Sequence, residues 1–542
     1  MNGKGNAPDS RRDDDTPDEV IVNMEPRSPD FDPTLGIPVA QTATLGTSMN
    51  KLVTIGDSVT MGFQSGAIFN TKYSWPKIVA AEIGCDPGFR FPLYESFGGL
   101  PANIEYLVRS LEHTYGSNID LWELPGASFR LRHLMSEIAD YWQLGAGVEA
   151  PLTSAIMHNL AICGWDIRDA LSRTAKNLKD FRLTPKKNSI KRYLANAKIR
   201  AGLGVYSSMD ETDTLLDAAR KLGDQGAKPG SGGDAATPGI ETLVVFLGAN
   251  NVLASVVLLD VQWSGPGFDQ LSKEKDEYTV WCPSHFKSEY LLLVNELKKV
   301  KAQHVILVNV PHVTIAPIAR GVREKVQSKS RYYPYYTRPW ISDAQFNPDH
   351  DPHITENQAR AIDSAVDQYN DVIADVVRER RRAGQDWYVM DIAGMLDRLA
   401  HRRYIESPDA QPTWWTPYDL PEAFNSIDPT PDSRFFASDS DGRMQGGLFS
   451  LDGVHPSTIG YSLIAQEIIN IMQLANVPLY FGDGKTLRPG PVKVDFERWL
   501  RADSLNSNPP ASLSSDLKTF AWLDATADLL TKFNHFKDRD EK

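Results

Sequence analysis

Five short apolar runs, at residues 51–55, 155–162, 242–247, 304–310 and 387–390, constrain this chain more than any other feature. None alternates strictly between apolar and polar residues, so each reads as a strand buried on both faces. Helical patterns separate them, at about 75–84, 286–301 and 354–383. Strand and helix in alternation predict an α/β fold, a doubly wound parallel sheet with helices on both sides.

At 542 residues the chain is long for one domain, but a single enlarged α/β domain with insertions accommodates it. Residues 1–45 are polar, charged and Pro-rich, and predict a disordered leader. Residues 46–483 form the main domain, with insertions at about 85–155, 172–240 and 312–385. Residues 484–542 form a C-terminal extension, with a Ser/Asn/Pro linker at 504–515 and an apolar-periodic helix at about 516–534. Two stretches interrupt the rhythm. Residues 222–239 are Gly/Pro-rich and read as a surface loop; residues 330–353 are aromatic and Pro-punctuated and read as an ordered loop, a candidate lid.

The net charge of −13 argues against nucleic-acid binding, which needs clustered Lys and Arg. Cys85, Cys163 and Cys282 are too scattered for a disulfide framework and form no CxxC pair for zinc. The N-terminus lacks the apolar core of a secretory signal, and no apolar run reaches the length of a membrane span. The expectation is a cytoplasmic protein with no transmembrane segment. Asp349, His350, Asp351 and His353 are metal-ligand types, but their crowding around Pro352 favours a solvated turn over a metal site.

Four segments carry chemistry. The first apolar run leads into GDSVTMG, which puts Ser58 just beyond the end of a buried strand, where open α/β sheets place their ligands. An isolated GDS is a common strand-to-helix turn. In LDGVHPSTIGY a D-x-x-H pair, Asp452 and His455, lies on one tight turn before a helix. There a carboxylate can hold one imidazole nitrogen while the other faces a serine. The third segment, LGANN, ends an apolar run with Asn250, whose amide could donate to an oxyanion. The fourth, NLAICGWDIRDAL, puts Gly164 between a strand and a helix, where a backbone N–H can approach a ligand closely. Residues 124–128 (LPGAS), with Gly126 nearer to Ser58, compete for that last role. Thr60 stands where a G-x-S-x-G elbow requires its second glycine, which disfavours an α/β-hydrolase.

Taken together and in order, these segments resemble the four signature blocks of the SGNH (GDSL-type) hydrolase superfamily, the esterases and lipases named for Ser, Gly, Asn and His. The resemblance implies a three-layer α/β/α, flavodoxin-like fold and a triad of Ser58, His455 and Asp452. It further implies an oxyanion hole built from the Ser58 and Gly164 N–H groups and the Asn250 side chain. Two departures stand out: Asn251 occupies the position usually held by Asp, and the gap from Ser58 to Gly164 is long. The implied activity is hydrolysis of a carboxylic ester through an acyl-enzyme on Ser58, without cofactor or metal. The substrate would be a small-molecule, lipid or carbohydrate ester. An acyltransferase or a carbohydrate deacetylase fits the same blocks, and a non-catalytic binding protein is the reading from another class.

Overall fold

A computed structural model describes residues 11–39, 48–117, 119, 123–148, 155–187, 189–226, 238–271 and 278–513. Its strands include β1 (Asn50–Gly56), β2 (Asn159–Ala161), β3 (Ile240–Phe246), β4 (Ala302–Val308), β5 (Arg320–Val322), β6 (Tyr335–Thr337), β7 (Ile354–Thr355) and β8 (Trp387–Met390). Five of these form the central sheet, in the order β2-β1-β3-β4-β8. Every pairing within it is parallel. Each apolar run of the sequence overlaps one of these strands.

Alternate residues of the strands feed two separate cores, as a pleated sheet covered on both faces requires. Val53, Ile55, Leu243, Val245, Val305 and Leu307 face one core, packed by the helices Pro283–Leu297 and Glu356–Arg382. Leu52, Val244, Phe246, Ile306, Val308 and Met390 face the other, packed by the helices Trp75–Glu82 and Thr458–Leu474. The chain is therefore α/β with helical layers on both sides of a parallel sheet. The sheet order also places a switch point at β1. The chain passes from β1 outward to β2 and then crosses back to β3, which opens a crevice at the carboxyl ends of these strands.

The leader departs from the expectation drawn from its composition. Residues 11–39 lie against the 356–382 helix and the outer edge of the sheet. Val20 and Val22 are buried with Ala361, and the Asn23 N–H donates to Ser364 Oγ at 3.0 Å. The Val389 N–H of β8 donates to Pro33 O at 3.0 Å. A polar, Pro-rich segment thus covers the free edge of β8 with hydrogen bonds that hydropathy does not register.

The C-terminal extension packs back in the same way. The short helix Phe496–Ala502 buries Trp499, whose indole donates to Glu82 Oε1 at 3.1 Å. The predicted linker at 504–515 opens with a helical turn, Ser504–Ser507. The helix expected at 516–534 lies outside the described residues, as do residues 227–237 of the Gly/Pro-rich loop. In the 330–353 segment, β6 sits at the centre of a small antiparallel sheet between β5 and β7. Among the described residues, no helix is long and apolar enough to cross a membrane.

Candidate active site

Ser58 is the first residue of a helical turn, Ser58–Met61, that follows β1 directly. Asp57 caps the turn, its side chain accepting from the Val59 N–H at 3.0 Å. At the first position of the turn, the Ser58 N–H has no partner within the helix. A Cβ at Gly56 would overlap Thr60, so the strand can turn this sharply only with glycine there. Asn159 of β2 fixes the turn from the side. It accepts from Thr54 Oγ1 at 3.0 Å and donates to Thr60 O at 2.9 Å.

His455 arrives from the opposite end of the chain. Its Nε2 lies 2.8 Å from Ser58 Oγ, and its Nδ1 lies 3.0 Å from Asp452 Oδ2. All three side chains are buried. The Asp452 carboxylate also accepts N–H bonds from Val454 (2.9 Å), His455 (2.8 Å) and Gly66 (3.0 Å). Burial alone would raise the pKa of Asp452, but the charge of His455 and these N–H donors outweigh it and hold the carboxyl below its ordinary value. The turn is closed by Ser450 N–H to His455 O at 2.8 Å. Gly453 sits in it at φ +66, where a Cβ would press on Ile318 and Phe435. The Phe63 ring packs on the imidazole, its centroid 4.5 Å away.

The two other sequence segments meet beside Ser58. Gly164, at φ +71, follows β2, the neighbour of β1 on one side. Asn250, in the turn Ala249–Asn251, follows β3, the neighbour on the other. The Asn250 amide donates to Trp165 O at 2.8 Å and lies 3.4 Å from Asp57 Oδ2, which ties the three strand ends together. Gly126, the competing candidate, lies instead within the long helix Leu124–Leu144, next to Tyr115. Asn251 is fully buried, and neither atom of its amide has a hydrogen-bond partner among the described residues.

Asp57 is the most perturbed acid of the site: its burial pushes the carboxyl up to about 7, against the opposing effects of the Val59 N–H and His455. An apolar cleft of ≈ 110 Å³ opens onto Ser58 and His455, walled by Phe246, Leu253, Met395, Leu399, Phe449 and Ile464.

Residues that the sequence motifs did not single out also shape the site. Ser65 and Gly66 grip the Asp452–His455 turn, the Ser65 N–H donating to Ser450 Oγ at 2.9 Å. His312 borders the cleft, but its nitrogens are committed to Asp397 (2.9 Å) and Asp367 (3.0 Å). Burial would lower its pKa, yet these carboxylates raise it to about 10 and keep the ring an imidazolium. It is not a second base. Asp349, His350, Asp351 and His353 form no grouping of three or more that could hold a metal ion, nor does any other set of His, Cys, Asp or Glu among the described residues.

A Ser–His–Asp relay of this kind can lower the cost of deprotonating a serine hydroxyl and deliver the proton to a leaving group. Compared with family models and with curated proteins, the sequence finds no match.

Proposed function

We propose that this chain is a serine hydrolase that cleaves a carboxylic ester through an acyl-enzyme on Ser58, on an SGNH-type, flavodoxin-like scaffold. The observation that carries the reading is the relay itself, Ser58 Oγ to His455 Nε2 at 2.8 Å and His455 Nδ1 to Asp452 Oδ2 at 3.0 Å. It is built from residues 397 positions apart in the chain.

In the acylation step, His455 Nε2 takes the Ser58 proton as Oγ attacks the ester carbonyl carbon. The carbonyl oxygen becomes an oxyanion, received by the Ser58 and Gly164 N–H groups and the Asn250 amide. Collapse of the tetrahedral adduct breaks the bond to the alcohol oxygen, which leaves with the proton from His455. In deacylation His455 takes a proton from water, the hydroxide attacks the acyl carbon, and Ser58 departs with that proton. Asp452 holds the imidazole in the required tautomer and stabilises its charged form. The small apolar cleft suits a short acyl group.

The test is hydrolysis of short p-nitrophenyl esters, together with covalent labelling by a fluorophosphonate probe. Wild type should react in both assays and label at Ser58, while Ser58→Ala should do neither and still melt like wild type. Full hydrolysis by Ser58→Ala would sink the assignment. Failure of folded wild type to label would favour a non-catalytic binding protein.

A further inference from the structure

A second and larger cavity, of ≈ 490 Å³, lies across the 313–316 segment from the apolar cleft. Val313 and Ala316 line the cleft, Thr314 and Ile315 line the cavity, and Ser433 lines both. The cavity wall is cationic. Arg320, Arg331, Arg402, Arg403 and Arg434 border it, and among the described residues of the lining Glu406 is the one carboxylate they face.

Three of these arginines are held by ion pairs just behind the wall: Arg320 with Asp343, Arg403 with Asp363 and Asp397, and Arg434 with Asp432. Arg331 and Arg402 are not. Among the described residues, neither has a carboxylate within ion-pairing distance. Arg331 is only 6% exposed, and among the described residues its Nε and Nη1, both shielded from solvent, meet no hydrogen-bond acceptor. The guanidinium lies over the Tyr332 ring at 4.9 Å, and the charges of Asp363 and Asp367 act on it at longer range, but Asp363 already accepts from Arg403, Thr314 and Tyr332, and Asp367 is bonded to His312. Arg402 gives Nη2 to Gly321 O at 3.0 Å, and among the described residues its Nε also lacks an acceptor.

Buried guanidinium N–H groups left without an acceptor are costly, because their lost hydration is not replaced. Planar guanidinium groups match the geometry of a carboxylate or phosphate and bind it through paired N–H donors. Aromatic residues complete the wall. Tyr333, Tyr336, Trp340 and Phe435 line the cavity, and Arg402 lies over the Tyr333 ring at 5.1 Å.

We infer that this cavity binds a compact oxyanion, a phosphoryl, sulfuryl or carboxylate group, carried on a ring that stacks against the aromatic wall. Arg331 and Arg402 are its ligands. The anion belongs to the ester substrate, an assignment of source that rests on the hydrolase reading above; the binding itself does not.

Calorimetric titration of the full chain with inorganic phosphate, at constant ionic strength, tests the binding without any catalysis. Saturable binding is expected. Arg402→Gln should weaken it tenfold or more, as should Arg331→Gln. Arg378→Gln, which removes only a surface ion pair with Asp375, should leave it unchanged. Melting curves establish that each variant is folded, and Arg402→Gln carries the test if Arg331→Gln does not fold. Absence of saturable binding to folded wild type overturns the proposal, as does binding that Arg402→Gln leaves intact or that Arg378→Gln weakens equally.

A kinetic arm settles the source. If the substrate carries the anion, phosphate should raise the apparent KM of a phosphorylated ester and spare neutral p-nitrophenyl acetate. Phosphate that binds but affects neither ester supports a site for a free anion and overturns the assignment to substrate. Loss of the hydrolase reading would leave the calorimetric result standing, so the two failures are distinguishable.

Discussion

The Asn250 amide lies 2.8 Å from the carbonyl oxygen of Trp165, which joins the turn after β3 to the turn after β2 beside Ser58. Its other near neighbour is Asp57 Oδ2, at 3.4 Å. An amide nitrogen has two hydrogens to give. The bond to Trp165 fixes the plane of the group, and the long contact to Asp57 is the one an oxyanion can displace. Asn250→Ala should therefore lower kcat by about 10²–10³, the usual loss for one oxyanion donor, with KM little changed. Steady-state kinetics on a short ester measures this, and a variant with an unaltered kcat would remove Asn250 from the oxyanion hole.

Asp452 does two things at once, orienting His455 and closing its own turn. Asp452→Asn keeps the shape but presents an NH₂ where three N–H donors and the imidazole N–H now converge on a carboxylate. The imidazole is then driven to the wrong tautomer. The expected loss in kcat is about 10³–10⁴, accompanied by a lower melting temperature as the turn loses acceptors. A loss of activity no larger than tenfold in a folded variant would mean that Asp452 serves the turn alone.

The pH dependence of stability should carry the signature of Asp57. Its carboxyl is pushed up from 3.8 to about 7 in the folded chain. Between about pH 4 and 7 the folded state keeps a proton that the unfolded state releases, so stability falls as pH rises through this window and levels off above it. Asp57→Asn still offers an oxygen to the Val59 N–H but has no proton to lose. It should match wild type near pH 4 and exceed it by a few kcal/mol at pH 8, because each tenfold change in proton affinity is worth about 1.4 kcal/mol. Thermal melts of both proteins at pH 4 and 8 test this; a gap that does not widen with pH would refute it.

What could be read from the sequence and what could not divide along the range of the interactions. The five strands declare themselves because a run buried on both faces needs only local apolarity, and the Asp452–His455 pair because both partners lie on one turn. The strand-end position of Gly164, against the helical one of Gly126, follows from the strand that ends just before it. By contrast, Asn159 supports the Ser58 turn across 99 residues, and Gly66 holds Asp452 across 386. Asn159 opens the NLAICGWDIRDAL segment, but its partner is not legible there, and the Gly66 N–H has no signature at all, since a side-chain amide or a backbone N–H can serve any partner the fold supplies. The leader escapes a reading by composition for the same reason. Its attachment to β8 and to the 356–382 helix is made of a backbone hydrogen bond from Val389, ion pairs of Arg11 with Glu356 and of Arg27 with Asp371, and two small valines, against a composition that by itself favours disorder.

His312 provides a stability test independent of catalysis. Burial disfavours its charge, yet Asp397 and Asp367, with Asp363 nearby, raise its pKa to about 10. In the unfolded chain the ring has its ordinary value of 6.5. The folded state therefore binds the extra proton above that value, and the stabilisation, fully present below about pH 6.5, is lost as pH rises through 10. His312→Gln is neutral at every pH and leaves two buried carboxylates short of a cation, relieved only in part by Arg403, which lies 3.5 Å from Asp397. Breaking a buried pair in this way costs on the order of 3–5 kcal/mol. The variant should melt well below wild type at pH 6, and the gap should narrow steadily towards pH 10. Because the His312 nitrogens are bonded to Asp397 and Asp367 and not to Ser58 or His455, fluorophosphonate labelling of the folded variant at low temperature should persist. A gap in melting temperature independent of pH would show that the ring is neutral in the folded protein.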